Sequence, residues 1–165
     1  MAMIDELLFI KTFRERKAET ALQRSRLVLV DAQRQEDNAR QTLERFIEQA
    51  TEDELRWYRE LCARLVKQRD IEVVQQDVAI QRAEEQAHLR EWEAAAAAHV
   101  SAQAAYNQAT AVLRDASTSR SKFDELARLH HDAAAREAER VEELELEEVA
   151  GIVRERHDNV SHADV

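Results

Sequence analysis

The sequence predicts an all-α protein: two long helices folded back on each other as an antiparallel coiled-coil hairpin, with the C-terminal helix overhanging. Three observations predict it. The 165 residues contain no proline and a single glycine, Gly151, so the tight turns that β-hairpins require are unavailable. The longest stretches are built from Ala, Glu, Arg, Gln and Leu, the strong helix formers. With 35% charged and 5% aromatic residues, the chain is suited to a narrow apolar seam and not to a thick core.

The first arm is expected over about residues 3–64. Its seam recurs at alternating steps of four and three, through Ala18, Leu22, Ser25, Leu29, Ala32, Glu36, Ala39, Leu43, Phe46 and Ala50. A second seam has the same alternation: Ala95, Ala98, Ala102, Ala105, Ala109, Val112, Ala116, Ser119, Phe123, Leu126. An isolated helix gains nothing from an apolar stripe, so each seam requires a partner, and one reversal of the chain makes each the partner of the other. Pairing about a centre near residue 67 sets Leu29 opposite Ala105, Leu22 opposite Val112, Ala32 opposite Ala102 and Leu8 opposite Leu126. Large side chains then mostly meet small ones, which lets the helices approach closely. A slip of one heptad would satisfy the same periodicity.

The reversal is expected at about 65–70, with Asp70 as the N-cap of the second helix. A rival lies at Thr51, which forms a capping box with Glu54 where the seam shifts phase to Leu55, Tyr58, Cys62 and Leu65. A turn there would leave the last third of the chain unpaired, so Thr51 reads as a kink or stutter. The second arm is expected over about 70–150, completing a single hairpin domain over 1–150. Beyond about residue 133 it outruns the first as the acidic stretch "AREAERVEELELEEV", bearing Glu142, Glu143, Glu145, Glu147 and Glu148. Gly151 is a natural stop, and 151–165 is expected to be a disordered tail.

Composition excludes several functions. A formal net charge of −10, with bases interleaved among acids, argues against nucleic acid as a partner. One glycine cannot build a phosphate-binding loop, and one cysteine, Cys62, cannot form an internal disulfide; it reads as a small seam residue. No secretory signal or spanning segment is present in the sequence, which suits a cytoplasmic protein. Glu85 and His88 form one Glu-x-x-His pair of the kind used twice in di-iron bundles, but it has no second copy, so no metal, cofactor or catalytic residue is assigned. Trp57, Tyr58 and Trp92 either fill the seam or bind a partner. If Tyr58 belongs to the shifted stripe, Trp57 lies about 100° round the helix and is partly exposed. It would then form an apolar partner-binding patch with Phe46, Leu61, Val73 and Val74.

The stretches "LLFIKTFRERKAETAL" (7–22) and "RDIEVVQQDVAIQRAEE" (69–85) resemble the YscO-type stalk proteins of bacterial type III secretion, relatives of flagellar FliJ. The absence of proline, the hairpin and the overhang agree with that resemblance. It implies a non-enzymatic stalk at the cytoplasmic base of the secretion apparatus. The end bearing the termini would engage the export ATPase hexamer, and the tip region would reach the membrane export gate. Read from charge alone, the bases Lys11, Arg14, Arg16 and Lys17 and the acidic overhang either offer charge complementarity to the pore of that ring or simply solvate their helices. Binding of secretion chaperones is a further role it implies. The competing reading is a generic cytoplasmic scaffold or tether with the same hairpin and no ATPase partner.

Overall fold

The computed structural model describes residues 3–161. Helix α1 spans Met3–Cys62 and helix α2 spans Gln68–Ser161, joined by residues 63–67; there is no strand among the described residues. The two run antiparallel. Their contacts divide the chain into two compact units, one of residues 17–113 and one combining the residues up to Arg16 with those from Arg114 onward.

In the first of these units, the α1 positions withdrawn from solvent between residues 17 and 50 are the ten seam positions read from the sequence. Leu29 and Ala32 form a buried cluster with Ala102 of α2, and Tyr106 packs against it. The cross-arm contacts fix the register: Gln81 Nε2 donates to Asp53 Oδ2 at 3.2 Å, the Phe46 and His88 rings lie 4.9 Å apart, and His99 Nδ1 contacts Glu36 Oε2. Paired residue numbers total 134 or 135, the pairing expected from the mirrored seams.

The second seam departs from expectation at alternate positions. Ala98, Ala105 and Val112 are exposed, and the positions one residue later, His99, Tyr106 and Leu113, turn inward. Leu29 therefore packs with Ala102 and Tyr106 instead of Ala105. The cause is that Ala95, Ala102 and Ala109 fit a three-then-four and a four-then-three alternation equally well. Apolarity favoured the alanines in between, whereas the folded chain prefers the bulk of Tyr106 and Leu113 and the pairing of His99 with Glu36.

Thr51 does not shift the seam. Its hydroxyl donates to the Ile47 carbonyl at 2.8 Å within an unbroken helix, and the inward positions continue through Asp53, Glu54, Trp57 and Leu61. Leu55, Tyr58, Cys62 and Leu65, expected on the seam, are exposed. The reversal needs no glycine, since no residue in it adopts positive φ. Lys67, and not Asp70, occupies the cap position before α2. Asp70 sits inside the first turn and reaches back, its Oδ2 accepting from the Lys67 amide at 3.1 Å as one half of a capping box.

In the other unit, His131 Nε2 and Asp5 Oδ1 are hydrogen-bonded at 2.9 Å, Arg120 forms an ion pair with Glu15, and Lys11 Nζ lies 5.0 Å from the Phe123 ring centroid. Here too the seam takes the later position, with Ala127 buried and Leu126 exposed. From residue 128 to 160 every side chain of α2 is exposed. This overhang remains helical through Ala and Glu propensity and local pairs such as Arg140 with Glu137 at 2.9 Å.

Gly151 is not a stop. It lies inside α2, which continues to Ser161, and the rest of the expected tail, 162–165, lies outside the described residues. A Cβ at Gly151 would meet nothing within 4 Å. Gly151→Ala is therefore expected to stabilise this part of the helix by about 0.5–1 kcal/mol, seen as slower amide exchange around residue 151 and no change near residue 100. Unchanged exchange at 151 would show that the segment is not helical in solution.

Candidate interaction surfaces

The candidate sites are exposed helix faces. Among the described residues no group of three or more His, Cys, Asp or Glu could hold a metal, and no helix is long and apolar enough to cross a membrane. The Glu85–His88 pair is not assembled into a site: His88 lies against Phe46, with Nδ1 3.8 Å from Glu91. Of the other histidines, His130 and His131 stack edge to face at 5.9 Å, and His131 is held by Asp5.

The residues assigned to a gate-side patch divide between seam and surface. Phe46, Trp57, Leu61 and Val74 are half-buried and face the partner helix's side of the hairpin, while Val73 is exposed. The shifted stripe predicts Trp57 outward and Tyr58 inward; the structure reverses them, with Tyr58 48% exposed. The reason is that Asp53 and Glu54 are satisfied across the seam, by Gln81 and by Arg82 at 3.8 Å, so polar residues hold positions that an apolar count would reject. The apolar surface near the reversal is instead the outward stripe of Leu55, Tyr58, Cys62 and the fully exposed Leu65.

Of the four bases assigned to the ATPase side, Lys11 is half-buried and engaged with Phe123, whereas Arg14, Arg16 and Lys17 are exposed. Sequence reasoning missed the aromatic residues beside them. Phe9 and Phe13 are 72% and 61% exposed and line a shallow groove on α1 with Asp5, Leu8, Thr12 and Arg16. Their spacing of four was visible in the sequence and places both on one side of the helix. The resulting surface, two unburied aromatic rings beside guanidinium, has the composition that anchors protein contacts.

Two antiparallel helices with half-buried seams, exposed contact faces and a one-sided extension define a coiled-coil hairpin protein. A family model for the type III secretion protein YscO matches residues 4–151, and the chain belongs to the YscO family. Its structure is similar to the crystal structure of type III secretion protein YscO from Vibrio parahaemolyticus, with a TM-score of 0.80 and 23% sequence identity over 88% of this chain and 92% of that one. No curated protein matches the chain.

Proposed function

We propose that this protein is a non-enzymatic coiled-coil stalk that engages the export ATPase hexamer of a type III secretion system and links it to the export gate. It acts at the cytoplasmic base of the apparatus. The observation that carries the ATPase contact is the unburied pair Phe9 and Phe13 beside Arg16, with Arg14 and Lys17 on the same part of α1. Aromatic and guanidinium side chains are the usual anchors of protein interfaces, and flanking bases steer an acidic surface onto them. A stalk works by contacting some conformations of the ATPase subunits better than others, which biases their equilibrium without chemistry of its own. The gate contact is assigned to the reversal, through Val73 and the outward stripe around Tyr58 and Leu65, with Trp57, Phe46, Leu61 and Val74 supporting it from the seam. Secretion chaperones are a second class of partner compatible with these faces.

ATPase turnover, measured with and without the chain, tests the assignment. Turnover is expected to rise on addition of the wild-type protein. Phe9→Ala with Phe13→Ala is expected to weaken the contact by about 2 kcal/mol, roughly thirtyfold in the concentration needed. Arg14→Glu with Lys17→Glu should weaken it in a salt-dependent way. Turnover that is indifferent to the wild-type chain would leave the hairpin as a tether without an ATPase partner.

A further inference from the structure

A second stripe runs along α1 outside the seam. Met3, Leu7, Ile10, Arg14 and Lys17 follow the same four-then-three spacing, all are exposed, and the order is three apolar residues followed by two bases. On the overhang, Glu139, Glu142, Leu146, Val149 and Val153 follow it too; all are exposed, Leu146 by 70%, and the order is two acids followed by three apolar residues. Laid antiparallel, the stripes are complementary at every step. Met3, Leu7 and Ile10 meet Val153, Val149 and Leu146, while Arg14 meets Glu142 and Lys17 meets Glu139. The spacing carries the match two steps further, to Ala21 with Ala135 and Arg24 with Asp132. Among the described residues, none of these six charged side chains takes part in an ion pair.

These faces cannot meet within one molecule. Their paired residue numbers total 156, whereas the cross-arm contacts of the hairpin, such as Asp5 with His131 and Lys11 with Phe123, total 134–136. We propose that the overhang of one chain docks on the outward stripe of α1 of a second copy, the two hairpins lying in the same direction and offset by about 30 Å, or some 21 residues at ~1.5 Å each. Other alignments match less well. A parallel arrangement sets Met3 against Glu139 and Lys17 against Val153. Two overhangs paired with each other about a two-fold axis set Glu142 against Val153 twice, burying a carboxylate beside an apolar side chain. The proposed contact joins two different faces of the chain, so it is heterologous, and each copy added leaves one of each face open for the next. It goes beyond the stalk reading and does not depend on it, although it covers Arg14 and Lys17, which that reading offers to the ATPase.

Sedimentation velocity on the full-length chain over a range of concentrations is expected to show association that grows with concentration at low salt and falls at high salt. Ile10→Asp breaks the α1 face and Leu146→Asp breaks the overhang face; both positions are exposed, so circular dichroism should show unchanged helicity. Each variant alone should be monomeric. Mixed in equal amounts, they retain one intact overhang and one intact α1 face between them, and they should form a species of twice the chain mass that grows no further. In a Cys62→Ser background, Ile10→Cys with Leu146→Cys should yield disulfides between chains. A wild-type chain that stays monomeric at all concentrations, a mixture in which both variants remain monomeric, or a disulfide formed within one chain would each overturn the proposal.

Discussion

Trp57→Ala is expected to lower the stability of the hairpin by about 2 kcal/mol, while Tyr58→Ala changes it by no more than about 0.5 kcal/mol. Trp57 is half-buried on the inward side of α1 between Glu54 and Leu61, and truncating it removes the largest side chain near the reversal from a seam that has no fully buried residue to compensate. The 2 kcal/mol is set below the usual cost of deleting a buried tryptophan because the site is open on one side and neighbouring side chains can close over it. Tyr58 faces outward and is 48% exposed, so its truncation withdraws little side-chain surface from the seam. Chemical denaturation of the two variants checks both values. Equal losses for the two would place the tyrosine in the seam and restore the phase shift at Thr51. The same pair separates packing from recognition: loss of gate binding in Tyr58→Ala at unchanged stability would assign the outward stripe to the partner.

How much of this was legible in the sequence differs from one arm to the other. In α1 the large residues Leu22, Leu29, Leu43 and Phe46 keep the four-and-three spacing over several turns, whereas the stripes through Leu27, Val28 or Val30 run into Arg24, Asp31, Gln33 or Arg34 within a turn, so one set of positions forms the seam, and that set is the one withdrawn from solvent. In α2 alanine is so abundant between residues 94 and 111 that hydrophobicity alone admits two phases, and the choice between them is made by shape and by polar partners on the other helix. The same cause displaced Trp57. Leu55, Tyr58, Cys62 and Leu65 are the more apolar stripe, but Asp53 and Glu54 find Gln81 and Arg82 across the seam and so hold the inward positions. Information of that kind lies in pairs of residues far apart in the chain, and a periodicity search along one helix does not contain it. The end of α2 was missed for a different reason: a glycine ends a helix only when the next residues turn, and those after Gly151 are good enough helix formers to continue.

The polar contacts inside the seam are expected to specify register at the expense of stability. Glu36 with His99 and Glu15 with Arg120 occupy seam positions among alanines and leucines, and their side chains are 14–37% exposed, so each pair is worth little in net energy. Their effect on alternatives is larger. A slip of one heptad sets Glu36 against Trp92 or Tyr106 and Glu15 against Leu113 or Ala127, leaving half-buried carboxylates without a charged partner at a cost of about 1–3 kcal/mol each. The alanines would tolerate that slip, and lengthening the connection by one heptad costs less than ~1 kcal/mol, so the polar layers are the main barrier to it. Replacing Glu15, Arg120, Glu36 and His99 together by leucine adds about 1 kcal/mol or more of apolar burial per position at ~25 cal/mol/Å² and should raise the melting temperature. It should also blur the register. In a Cys62→Ser background, Ala32→Cys with Ala102→Cys, adjacent in the native cluster, should crosslink almost completely in the wild-type seam and less in the leucine variant, while Ala32→Cys with Ala109→Cys should begin to crosslink. A variant that melts higher and still crosslinks only at 32 and 102 would show that packing alone sets the register, as core polar residues fix it in some coiled coils and not in others.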